Sequence, residues 1–167
     1  MGLMGINSFP TEEPTRGERV IPAADFFTFA YTKALESDEI LTEIVIPLPD
    51  KSSAGVYLKL EKVAGDFAIA SAAVQLGLDS DGACNEIGIG VTGGGTVPQK
   101  ALAVESLLRG KTITSALIDQ AGQMIQESAE PIEDLHGPAS YKKKALNAIL
   151  RRAIREALQR ADARKPF

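Results

Sequence analysis

The stretch of this 167-residue chain whose residue types could do chemistry runs from Tyr57 to Phe67, YLKLEKVAGDF. If Leu58 and Leu60 face a core, strand alternation puts Tyr57, Lys59, Glu61 and Val63 on the opposite side. Lys59 then projects from the outer face of a sheet, where an ammonium can stabilise negative charge on a ligand. Gly65-Asp66 reads as a turn in which the Asp carboxylate accepts backbone N–H bonds, and Phe67 as the opening of the next strand. Two readings fit these residues: a hairpin with a core phenylalanine, or the rim of a site offering an aromatic ring, an ammonium and a carboxylate.

Other segments invite chemistry less strongly. Gly88-Ile-Gly-Val-Thr-Gly93 matches G-x-G-x-x-G, and Gly94 and Gly95 follow it. A dinucleotide fingerprint needs its glycines in the turn between a strand and a helix N-terminus. Here Gly88 and Gly90 alternate with Ile87, Ile89 and Val91, so they read as part of a strand whose bare face admits close packing by a helix or a cofactor. Asp79 and Asp81 with Gly82 look like the start of a calcium loop, but Ala83 and Asn85 follow and no closing Glu stands at the right offset, leaving a hairpin turn. Cys84 is the only cysteine and His136 the only histidine. One cysteine excludes an internal disulfide and any cysteine-based metal or iron–sulfur site made by this chain alone. Glu127, Glu130, Glu133 and Asp134 are spaced irregularly around a proline and read as a solvated acidic loop.

The elements that must position these residues follow from periodicity. Residues 1–16 mix Pro, Glu, Thr and Gly without a period and read as a disordered or appended tail. Order is expected from about Arg19, with a short strand and a turn of helix in VIPAADFF and a β-rich run at Ile40–Ile46 closed by Pro47 and Pro49. A domain boundary is expected near 47–55, giving a segment 17–50 and a domain 54–162. Three strand-like runs then occupy Val56 to Thr92; Ala70, Ala72, Val74, Leu76 and Leu78 share one face of the second, and Ile87, Ile89 and Val91 one face of the third. Short polar loops between them predict antiparallel pairing. Helical periods follow, with Pro98 in a first turn and Gly110 as a stop, then about Ser115–Ala129 capped by Thr114 or Thr112, then about Pro138–Ala161. The expected fold class is α+β: a three-stranded antiparallel sheet packed against three helices on one face.

Composition bounds the rest. Hydrophobic residues make up 44% and charged residues 24%, as in ordinary globular chains. No apolar run reaches the roughly 18 residues of a membrane span, and the N-terminus has no basic-then-apolar leader, so a cytoplasmic location without a membrane span is expected. The net charge of −4 argues against nucleic acid as a partner. Lys142, Lys143, Lys144, Arg151, Arg152, Arg155, Arg160 and Arg164 crowd the C-terminal segment, either as a solvated helix face or as a docking face for another protein.

Four segments in order, RGERVIPAADFFTFAYTKALESDEILTEIVIP, YLKLEKVAGDFAIASAAVQL, GVTGGGTVPQKALAVESLLRGK and HGPASYKKKALNAILRRAIREAL, resemble the FAD-binding medium subunit of molybdenum hydroxylases, of the carbon monoxide dehydrogenase type. The resemblance covers about residues 16–161. It implies that 17–50 is the end of an FAD-binding domain and that 54–162 is the subunit's C-terminal domain. The family's two pyrophosphate-gripping motifs, of the forms AGGHS and TIGG, do not occur in this sequence, so tight FAD binding by this chain alone is not expected. The family's Tyr-x-Lys strand matches Tyr57 and Lys59, and its Gly-Asp-aromatic turn matches Gly65, Asp66 and Phe67. Where the family often has Tyr, Phe67 keeps the ring that meets the isoalloxazine and lacks the hydroxyl. The resemblance further implies no catalytic residue in this chain, FAD as cofactor of the complete subunit, and a molybdenum-containing large subunit and an iron–sulfur small subunit as partners.

Overall fold

The structure, a computed structural model, describes residues 3–8, 18–49 and 53–163 and divides into two units, Met1–Pro49 and Asp50–Phe167. The first contains the strands β1 (Leu3–Ser8) and β2 (Glu18–Pro22), a single helical turn α1 (Ala23–Phe26), the short strands β3 (Phe27–Phe29) and β4 (Thr32–Lys33), and β5 (Glu39–Val45). β1 lies between β2 and β5, antiparallel to both. Ile21 and Phe26 form a small core joined by Ala34, Leu35 and Leu41. Arg19 fastens the unit across sequence, Nε donating to Glu39 Oε1 at 2.6 Å and Nη2 to the Ala34 carbonyl at 2.7 Å. The strand at Leu3–Ser8 corrects the expectation of a tail over 1–16: its partners are a separate strand and a segment more than thirty residues away, so no local period announces it. Residues 1–2 and 9–16 of that expected tail lie outside the described residues.

The second unit opens with β6 (Ser53–Leu60), β7 (Ala70–Leu78) and β8 (Cys84–Thr92), each antiparallel to the next. A two-residue strand, β9 (Gln99–Lys100), then joins the free edge of β8. The sheet therefore has four strands where three were expected; the fourth is too short to show a period. Three helices follow, α2 (Leu102–Leu108), α3 (Ser115–Ser128) and α4 (Ala139–Asp162). Pro98 precedes β9 and belongs to no helix, which corrects the first-turn placement; α2 begins after Ala101, whose N–H donates to the Ile89 carbonyl at 2.9 Å. Gly110 follows the last turn of α2 with φ of +74°, the left-handed stop that a glycine adopts without cost. Thr114 caps α3, its hydroxyl accepting the Leu117 N–H at 3.3 Å.

One face of the sheet carries the core. Ala70, Ala72, Val74, Leu76 and Leu78 are buried along β7, and Ile87, Ile89 and Val91 along β8. α4 lies across β6 and β7 and packs on α3, while α2 packs on β8. The alanines explain the close fit: Ala70 and Ala72 on the sheet and Ala153, Ala157 and Ala161 on α4 are all fully buried. Small side chains at facing positions let the helix backbone approach, and Leu146, Leu150 and Ile154 fill the space between, each worth about 1.5–3 kcal/mol of apolar burial. Among the described residues no helix is long and apolar enough to cross a membrane.

Candidate functional site

Pairing register lays out the face of the second sheet that points away from this core. Tyr57 stands opposite Ala73, and Ala73 opposite Gly90; Lys59 stands opposite Ser71, and Ser71 opposite Thr92; Gly55, Gln75 and Gly88 form a third row. An ideal Cβ at Gly88 or Gly90 would meet nothing within 4 Å, so this part of the face is low and open. Ser71 and Thr92 share a hydroxyl–hydroxyl hydrogen bond of 2.7 Å, and Gln75 Nε2 donates to Ser53 Oγ at 2.8 Å. The sequence showed this shelf only as glycines alternating with core residues; the rows across three strands needed the register.

At the end of β6 the chain makes a loop of residues 61–69 before β7, longer than the two-residue turn expected. The Ile69 N–H donates to the Leu60 carbonyl at 2.8 Å and closes it. Inside it, the Asp66 N–H donates to the Val63 carbonyl at 3.0 Å and Asp66 Oδ1 accepts the Phe67 N–H at 2.8 Å. Gly65 sits at φ +88°, where any side chain would be strained. Lys59 Nζ reaches across, donating to the Asp66 carbonyl at 3.1 Å and pairing with the Glu61 carboxylate. That hydrogen bond with Glu61, opposed by partial desolvation, holds the ammonium above its usual range. Phe67 neither opens a strand nor enters the core: its ring is 77% exposed, and Tyr57 on the neighbouring strand is 61% exposed. The hairpin itself holds, with β6 antiparallel to β7, and only the core placement of Phe67 is corrected. Phe67 thus leaves an apolar ring largely in water on a turn that Lys59 braces.

The other candidates resolve structurally. Gly88 and Gly90 lie inside β8, and the glycines after it are packing positions: a Cβ at Gly93 (φ +81°) would fall 2.3 Å from the Ile69 carbonyl, and one at Gly94 would strike Leu146. The run leads into β9, with no helix N-terminus to hold a phosphate. Asp79 Oδ1 accepts the N–H groups of Asp81 and Ala83, as a hairpin turn does, and among the described residues no cluster of His, Cys, Asp and Glu could hold a metal. On α4, Arg151 and Arg155 are both held by Asp119, Arg160 by Glu156 and the Gly55 carbonyl, and Lys142 by Asp134 and the Ile132 carbonyl. Four of the eight basic residues of the run are thus paired within the unit; Arg164 lies outside the described residues. The Lys142 ammonium and the His136 N–H hold the Asp134 carboxyl below its usual range.

Cys84 is fully buried, and burial pushes its thiol from 9.0 to about 11, with Arg109 opposing and Asp79 reinforcing the shift. A thiol in that state is not a nucleophile. Native protein should leave Cys84 unmodified by a colorimetric thiol reagent near neutral pH, with reaction appearing only on unfolding; rapid native labelling contradicts this. Because the folded state holds the proton more tightly, this stabilising contribution is complete below pH 9 and is lost as pH rises through about 11. The loss amounts to at most about 3 kcal/mol.

Comparison with known proteins decides the family. The profile of the CO dehydrogenase flavoprotein C-terminal domain matches residues 56–157. The chain belongs to the CO dehydrogenase medium-subunit flavoprotein family. Among the family's members, the carbon monoxide dehydrogenase medium chain of Afipia carboxidovorans is 36% identical over 145 residues, 87% of this chain and 50% of that protein. The solved carbon monoxide dehydrogenase of Hydrogenophaga pseudoflava superposes with a TM-score of 0.87 at 31% identity, over 95% of this chain and 53% of that one. Quinoline 2-oxidoreductase of Pseudomonas putida superposes at 0.83 with 27% identity, over 96% and 53%. The chain spans about half the length of the medium-subunit relatives it matches.

Proposed function

We propose that this chain is part of the flavoprotein subunit of a molybdenum hydroxylase of the carbon monoxide dehydrogenase type, and that Tyr57, Lys59, Asp66 and Phe67 form one side of its flavin site. The observation that carries the reading is the Phe67 ring, 77% exposed on a turn braced from below by Lys59. The residues fit a planar, electron-accepting ring: two exposed aromatics, an ammonium, and a shelf of Ala73, Gly88 and Gly90 with room above it. FAD, when bound in the complete subunit, supplies the electron storage between an iron–sulfur partner and an acceptor. What this chain's residues do is positional. Phe67 presents an apolar face that excludes water from one side of the ring. Asp66 fixes the peptide that carries Phe67, and Gly65 permits the bend. Lys59 ties the turn to β6 and offers positive charge that Glu61 partly offsets, so its bracing role precedes any electrostatic one. No residue here acts as acid, base or nucleophile; the substrate is oxidised at molybdenum in a large subunit.

The reading is tested in the complete FAD-loaded subunit. Lys59→Met and Phe67→Ala should each shift the flavin midpoint potential and the visible flavin spectrum, Phe67→Ala also increasing flavin fluorescence by opening the ring to water. An unchanged potential and spectrum in both variants sinks it. The 167-residue chain by itself should show no saturable quenching of micromolar FAD; stoichiometric quenching contradicts that part.

A further inference from the structure

Glu61 follows directly on β6, two residues beyond Lys59, and strand alternation puts it on the outward side with Tyr57 and Lys59. Its carboxylate pairs with the Lys59 ammonium, and the two side chains are only 29% and 28% exposed. The oxygen that meets the ammonium, Oε2, presents no surface to water. Ion pairs on open surfaces are weakened by solvent and salt; a pair shielded to this degree keeps more of its field. Glu61 does not hold the turn. The bonds that do are Lys59 Nζ to the Asp66 carbonyl, the Phe67 N–H to Asp66 Oδ1 and the Ile69 N–H to the Leu60 carbonyl, and none of these involves the Glu61 carboxylate.

What the carboxylate changes is charge. Glu61 acts on the ammonium most strongly, through its hydrogen bond, with Tyr57 and Asp66 behind it; the Asp66 carboxylate is occupied by the Phe67 N–H. We propose, on the reading that Tyr57, Lys59, Asp66 and Phe67 form one side of the flavin site, that Glu61 is a positioning residue that sets the flavin potential by holding Lys59 in a neutral pair. Two-electron reduction with uptake of one proton leaves the flavin ring with one negative charge, and charge beside the ring tunes how readily that form is reached. An ammonium favours it, and a carboxylate against the ammonium removes part of the advantage. The ring then meets far less than a full positive charge, and the reduced flavin gives up its electrons more readily. Lys59 can thus brace the turn through the Asp66 carbonyl without over-stabilising the reduced cofactor.

The test measures the flavin midpoint potential of the complete FAD-loaded subunit as wild type, Glu61→Gln, Lys59→Met and the double variant. Glu61→Gln keeps the side chain's shape and removes its charge, so it should favour the reduced flavin by roughly tenfold, about 30 mV for a two-electron couple. Lys59→Met should move the potential the opposite way, and the double variant, which loses both charges, should return close to wild type. Opposite shifts that cancel are the mark of a pair acting through charge; damage to the fold would not restore itself. A double variant that matches Lys59→Met, or a potential that Glu61→Gln leaves unmoved or lowers, overturns the role of Glu61 and leaves the flavin reading standing. A potential unmoved in all three variants removes the flavin reading and the role of Glu61 with it. In the flavin-free chain, amide exchange at Asp66 and Phe67 should stay near wild type in Glu61→Gln and quicken in Lys59→Met. Faster exchange in Glu61→Gln would make Glu61 a brace of the turn and overturn the proposal.

Discussion

Leu150→Ala should lower the unfolding free energy of the second unit by about 3–5 kcal/mol, the upper part of the range for such truncations. Leu150 is fully buried on α4, in the layer between that helix and the sheet. The cost depends on whether neighbours can move into the space left behind. Here they cannot: Ala70, Ala72, Ala153 and Ala157, all buried in the same core, have no side-chain length to extend. β7 is moreover paired on both edges and cannot shift without breaking two ladders. The cavity therefore persists, and its lining loses contacts outright. Leu102→Ala, at a position 61% exposed on α2, should change stability by less than about 0.5 kcal/mol. Urea titration followed by far-ultraviolet circular dichroism reads this unit, because α2, α3 and α4 supply nearly all the helix. A midpoint shift for Leu150→Ala no larger than that for Leu102→Ala would mean that α4 is not seated as described.

What the sequence disclosed here divides by range of interaction. The core faces of β7 and β8 and the stripe of α4 follow from period alone, since each is written in consecutive residues: Ala70 to Leu78, Ile87 to Val91, and Leu146 to Leu158. β1 and β9 escaped because their existence depends on partners elsewhere, β5 for one and β8 for the other. The same applies to buried charge. Glu105 and Lys142 look like solvent-facing residues of helices, yet both are buried because a backbone group on another segment, the Ile89 N–H or the Ile132 carbonyl, needs a partner. Within the site, Tyr57 and Lys59 were placed on the outer face by alternation, and the structure agrees. The exposure of Phe67 was hidden: an aromatic just before an alanine-rich strand reads as core, and only the length of loop 61–69 carries it outward.

Glu105 yields the second large effect. Where β9 gives way to α2, Ala101 still donates to the Ile89 carbonyl, but the Ile89 N–H has lost its strand partner and is taken instead by Glu105 Oε1 at 2.8 Å. The other oxygen lies 3.6 Å from Lys100 and 3.9 Å from Arg109, so the carboxylate is 3% exposed yet compensated on both sides. Glu105→Gln keeps an acceptor for Ile89 and gives up only the half-exposed ion pairs, a loss of about 1 kcal/mol or less. Glu105→Leu leaves a buried N–H without a partner and should cost about 1–3 kcal/mol beyond the Gln variant. Amide exchange separates the two causes: Ile89 should exchange much faster in the Leu variant and nearly as slowly as wild type in the Gln variant. Equal losses in both variants, with Ile89 protected in each, would show that charge rather than the acceptor holds the edge. The effect reaches the proposed site, because Ile89 lies between Gly88 and Gly90 on β8; freeing its edge lets the shelf beside Tyr57 shift. Glu105→Leu should therefore also weaken flavin retention in the complete subunit, although the Glu105 carboxylate holds β8 only through the Ile89 N–H at its edge.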